Sequence, residues 1–75
     1  MTVEFVGPMR RPWKERRRLL EVDGGSTVDR VVASLGYDAR ERKHFAFLVN
    51  GVKARPDEPL AADDLLAVLL MVGGG

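Results

Sequence analysis

The sequence has no cysteine and a single histidine, His44, in 75 residues. Without thiols there is no disulfide, no thiolate zinc site, no iron–sulfur ligation and no cysteine nucleophile, and one imidazole cannot build a multi-histidine metal centre. Serines are equally scarce: Ser26 and Ser34 are the only two, and nothing in the spacing pairs either with His44 as a base. Long apolar runs are missing too. The longest, Leu65 to Val72, is eight residues and far too short to span a bilayer. Neither sign of charge dominates, with 12 Lys+Arg against 11 Asp+Glu and a net charge of +1, which disfavours a generally polyanion-seeking protein. The opening Met1-Thr2-Val3-Glu4-Phe5 carries no basic stretch followed by an apolar one, so no secretory signal is expected. These absences predict one small, soluble, cytoplasmic domain with no membrane contact, no bound cofactor and no metal.

What is present has a clear order. Residues 2–6, β-branched and aromatic and bounded by Gly7-Pro8, predict a strand with Val3 and Phe5 inward. Residues 16–22 predict a second strand, antiparallel to the first across an unusually long loop, 7–15. Ser26 or Thr27 then caps a helix in which Val28, Val31, Val32 and Leu35 form one apolar stripe, with Asp29 in its first turn and Gly36 just past its end. Three valines are poor helix formers, so this helix must be held by burial against a sheet. Residues 45–49 predict a third strand, Asn50-Gly51 a tight hairpin turn, and 52–55 a short return strand stopped by Pro56. Residues 57–64 are a connection anchored by Leu60, and 65–72 the last strand.

One helix can shield only one face of such a sheet. If Leu66, Val68 and Leu70 face it, then Leu65, Ala67, Leu69 and Met71 line the other side, an apolar row suited to a partner. The alternative is that loop 7–15, with Met9 and Trp13, folds back over that row.

Other candidate chemistry is thin. Asp57-Glu58 and Asp63-Asp64 are adjacent carboxylates that a turn would point apart, a poor metal site. Gly24-Gly25-Ser26-Thr27 at a helix start resembles a phosphate cradle but lacks the accompanying lysine and spacing. Arg10, Arg11, Lys14, Arg16, Arg17 and Arg18 place half of all Lys+Arg within nine residues, around Trp13. With a net charge of +1, a solvated loop or an acidic protein partner is favoured over nucleic acid.

The chain closes on Gly73-Gly74-Gly75, roughly a three-in-ten-thousand coincidence at average glycine usage. A tail without Cβ atoms can thread a narrow channel and deliver a terminal carboxylate to another protein's active site. Thr27-Val28 opening the helix, Leu35-Gly36 closing it, then Val49-Asn50-Gly51, Pro59-Leu60, Asp63-Asp64 and a final Met71-Val72-Gly73-Gly74-Gly75 come in an order and spacing that resemble the ubiquitin-like sulfur carriers, the ThiS/MoaD family. Two departures stand out: the longer, more basic loop at 7–15, and Ala62 in the acidic turn where these carriers commonly have glycine.

The resemblance implies an α+β, ubiquitin-like β-grasp fold: a mixed four- to five-stranded sheet with one main helix, over residues 1–72, followed by a flexible tail at 73–75. Its first and last strands would lie parallel and adjacent at the centre. It implies a co-substrate and not an enzyme. An E1-like activating enzyme would use ATP to adenylate Gly75, a persulfide donor would convert it to a thiocarboxylate, and a sulfur-accepting synthase would take the sulfur. Gly73 and Gly74 would supply reach, and Leu65, Leu69, Met71 and Val72 would dock the partners. The Val-Gly-Gly-Gly ending is more like the thiamin carriers than the molybdopterin ones. The alternative is a ubiquitin-like interaction module, or a modifier conjugated to lysines, without sulfur transfer.

Overall fold

The structure is a computed structural model that describes residues 1–7 and 9–71. Its elements run β1 (Thr2–Val6), β2 (Arg17–Leu19), α1 (Val28–Ser34), α2 (Ala39–Arg42), β3 (Phe45–Val49), β4 (Val52–Ala54) and β5 (Leu65–Leu70). The five strands form one sheet in the order β2-β1-β5-β3-β4. The first and last strands are parallel neighbours at its centre, and every other pairing is antiparallel. A parallel pair cannot be closed by a tight turn, so the chain between them must cross over, and the helices supply that crossover. This is the ubiquitin-like β-grasp arrangement expected from the sequence.

The core sits between the sheet and α1. Val3, Phe5, Leu66 and Val68 are fully buried on the helix side, where Val28 and Val32 meet them at zero exposure. Their register is direct, Val3 opposite Leu66 and Phe5 opposite Val68, so the period-2 alternation of both central strands delivers the same face to the helix. Thr27 caps α1 as expected, its side-chain oxygen accepting from the Arg30 amide at 3.2 Å. Past the helix, Gly36 takes φ of +99°, a conformation that L side chains rarely adopt. Leu60 is buried, as its role of anchor requires.

Four features depart from the sequence reading. The second strand covers only Arg17–Leu19 instead of 16–22, because its pairing with β1 ends where the Leu20 amide donates to the Met1 carbonyl. The short helix α2 was not expected. It is held by a capping box: Glu41 N–H donates to Asp38 at 2.9 Å, and the Asp38 amide donates back to Glu41. Tyr37, unassigned from the sequence, is a core residue, and its ring sits in a chain of tilted and edge-to-face contacts linking Trp13, Phe5, Tyr37, Phe45 and Phe47. The last strand ends at Leu70 and not at Val72, which lies outside the described residues.

Candidate functional site: an uncovered sheet face

The sheet has two faces, and α1 takes one. Strand register places Val6, Leu48, Leu65, Ala67 and Leu69 on the other, with Thr2 and Glu4 beside them. Leu19, opposite Thr2, continues this face onto β2 and is 76% exposed. The loop that could have covered the row goes elsewhere. Trp13 stands edge-on to Phe5, ring centroids 5.5 Å apart, on the helix side, and Met9 packs against the same core. Tyr37 fixes that course, its hydroxyl donating to the Arg10 carbonyl, while the Arg10 guanidinium lies 4.8 Å from the Tyr37 ring centroid and pairs with Glu41 at 2.9 Å. The outer face is thus left without a cover among the described residues.

The proposed docking residues fall on this face unequally. Leu65 and Leu69 are half-buried among their strand neighbours, and Met71, just past β5, is 61% exposed. Its amide still donates to the His44 carbonyl at 2.9 Å, which keeps the chain aligned with the sheet as it leaves. Val72, Gly73, Gly74 and Gly75 lie outside the described residues.

The entry to β5 is held by a clamp that sequence reading did not anticipate. Asn50 takes φ of +52° in the β3–β4 turn, as its identity suggested. Its side chain also reaches across, donating to Asp64 Oδ1 at 2.9 Å while its oxygen accepts from the Leu65 amide at 3.0 Å. Asp64 Oδ2 accepts from the Ala61 amide at 2.8 Å. The Ala61 N–H and then the Asn50 amide stabilise the charged form, so the Asp64 carboxyl titrates below the usual aspartate range. Asn50 and the 61–64 turn therefore fix where β5 begins, and hence the line along which the chain runs toward Met71.

Other candidates dissolve on inspection of their partners. The amides at the start of α1 are occupied: Gly25 N–H donates to Leu60 O, Val28 N–H to Glu58 O and Asp29 N–H to Pro56 O, leaving no cradle for a phosphate. The Ser34 hydroxyl donates to Val31 O at 2.6 Å and is not turned to a base. Among the described residues no group of three or more His, Asp or Glu side chains could hold a metal ion. No helix of the described residues is long and apolar enough to cross a membrane.

The ThiS family model matches residues 3–75, nearly the whole sequence. The chain belongs to the ThiS family. Among solved structures it is similar to SAMP1 from Haloferax volcanii, whose crystal structure superposes with a TM-score of 0.75 at 26% sequence identity, over 99% of this chain and 97% of that one. None of the curated proteins matches. The uncovered face and the clamped last strand are thus features of a ThiS-family, ubiquitin-like small protein.

Proposed function

We propose that this ThiS-family protein is a sulfur carrier whose reactive group is the Gly75 carboxylate. Supporting this reading is the family match that runs through Gly73, Gly74 and Gly75 to residue 75, together with an apolar sheet face whose central strand leads toward them. Proteins of this kind work with E1-like activating enzymes and further partner proteins.

A carboxylate is a poor electrophile, so it must first acquire a leaving group. The Gly75 carboxylate oxygen attacks the α-phosphorus of ATP in the activating enzyme, pyrophosphate leaves, and an acyl-adenylate remains. A persulfide sulfur of a donor protein attacks the acyl carbon and AMP leaves. A second thiol then attacks the donor's cysteine sulfur in this acyl disulfide, the S–S bond breaks, a disulfide forms between the thiol and the donor, and the Gly75 thiocarboxylate leaves. An acceptor synthase receives that sulfur, with thiamin thiazole formation the first candidate and molybdopterin the second. Leu65, Leu69, Met71 and Val72 supply docking, and the glycines supply reach without side chains. No cofactor resides on the chain in this scheme; ATP belongs to the partner.

Incubation with the cognate E1-like enzyme, ATP and a sulfur donor is expected to replace one oxygen by one sulfur in the intact mass. Removal of Gly74 and Gly75 abolishes that change while leaving the fold in place. An unchanged mass, with a competent carrier run in parallel, overturns the reading. The ubiquitin-like fold favours one second reading, attachment of Gly75 to lysines of other proteins as ubiquitin is attached, which predicts isopeptide adducts in cell lysate.

A further inference from the structure

The basic stretch around β2 is not used by the carrier scheme. Of its six cations, three are engaged within the molecule: Arg10 with Glu41, Arg17 with Glu4 at 3.3 Å, and Arg18, whose guanidinium lies 5.0 Å from the Trp13 ring centroid. Arg11, Lys14 and Arg16 have no ion pair among the described residues and are exposed.

These cations flank an open sheet edge. β2 is the terminal strand, and all three of its residues are exposed. The Phe5 amide donates to Arg16 O and the Leu20 amide to Met1 O, so positions 16, 18 and 20 turn their backbone groups toward β1. Arg17 and Leu19 consequently turn their N–H and C=O groups outward, where no described residue meets them. Beside Leu19 lies a depression of about 320 Å³ lined by Met1, Leu19, Leu20, Glu21, Val22 and Ala62.

We infer that β2 is a second docking edge, one that accepts an extended acidic segment of another protein as an added strand. The outward backbone groups of Arg17 and Leu19 would pair with that strand, Arg16 and the nearby Lys14 would meet its carboxylates, and one apolar side chain would enter the depression by Leu19. Charge selects the occupant. A second copy pairing β2 to β2 would set arginines against arginines. The other edge of the sheet, β4, brings Lys53 with Arg55 just after it, so edge-to-edge self-association is repulsive by either route. Nucleic acid is disfavoured by Trp13, whose ring is half-buried against Phe5 and under Arg18 and so is not offered to a base. Glu21 and Asp23 follow the strand, so the acidic residues of the partner belong at the Arg16 end and its apolar residue at the Leu19 end.

The test is an amide-resolved NMR titration of the full chain with a short capped peptide alternating valine and glutamate. The inference expects the Arg17 and Leu19 amides to shift and to become protected from exchange. Binding should weaken with salt and be about tenfold or more weaker for the same peptide with lysine in place of glutamate. Leu19→Pro removes an outward N–H and no bond to β1, so it should abolish binding with the core amide pattern retained. Lys14→Glu with Arg16→Glu should weaken binding without touching the edge. Equal binding of the lysine peptide, shifts confined to the Leu65–Leu69 face, or tighter binding of a single-stranded oligonucleotide at the same amides would each overturn it. None of these readouts involves Gly75, so the outcome is independent of the carrier reading.

Discussion

Asn50 and Asp64 are fourteen residues apart in sequence and joined by a 2.9 Å hydrogen bond that ties the β3–β4 turn to the entry of β5. The same Asn50 side chain accepts from the Leu65 amide, and the Asn50 backbone amide donates to the Leu65 carbonyl at 2.8 Å. One residue therefore supplies both the left-handed turn and the last rung of the β3–β5 ladder. Asn50→Gly keeps the turn and loses the side-chain bonds, with an expected cost of about 1–2 kcal/mol. Asn50→Ala adds the strain of a Cβ at φ of +52° and is expected to cost about 1 kcal/mol more. Denaturant titration of the two variants separates these contributions.

The clamp also predicts an acid response. The Asp64 carboxyl titrates below its ordinary value of 3.8, first because the Ala61 amide donates to it and then because Asn50 does. A folded-state value below the unfolded one adds stability that is present above the ordinary aspartate range and is lost as pH falls through the folded value. Thermal melts from neutral pH into the acid range are expected to show a loss beginning near pH 4 and continuing below it. Asp64→Asn should remove its share of that slope while keeping one acceptor for the Ala61 amide.

Neighbouring leucines of β5 should separate stability from docking. Leu66 is fully buried against α1, and Leu66→Ala is expected to cost about 2–5 kcal/mol in chemical unfolding. Leu69 stands on the uncovered face, and Leu69→Ala is expected to cost less than about 1 kcal/mol while weakening the complex with the activating partner. Calorimetric unfolding together with a pull-down by the partner reads both effects. A Leu69 variant that docks normally would remove this face from the functional account.

Tyr37 gives a spectroscopic check on the loop, because it is the only tyrosine. Burial raises its phenol pKa above the ordinary 10.0, and the nearby Arg10 only partly offsets this. A folded value above the unfolded one means that this contribution to stability is present below the ordinary tyrosine range and is lost as pH rises through the folded value. Ultraviolet titration of the native protein should find the phenolate appearing later than in the unfolded chain. Tyr37→Phe is expected to cost about 0.5–1.5 kcal/mol and to speed amide exchange in the 9–16 loop.

Which parts of this structure could be read from the sequence follows from how local each signal is. Thr27, the valine stripe and Gly36 specify α1 within ten residues, and alternation specifies which sides of β1 and β5 are apolar. Asn50-Gly51 marks its own turn. By contrast α2 has no apolar stripe, and its one signal, Asp38 three residues before Glu41, is a cap pattern that marks a helix only where a helix has room to form. Tyr37 gives no periodic signal, because its burial depends on Phe5 and Phe45 from two separate strands.

The candidate site divides along the same line. The sequence alone placed Leu65, Ala67 and Leu69 on one face, since this needs only the two-residue period of a strand, and through its family resemblance it pointed to Gly75 as the candidate reactive end. It could not decide whether loop 7–15 covers that face, and it could not foresee the Asn50–Asp64 clamp or the outward backbone groups of Arg17 and Leu19. Tertiary structure decided these, because each depends on which strand lies beside which. That order was fixed when β1 and β5 paired at the centre, a contact between opposite ends of the chain that no local pattern encodes.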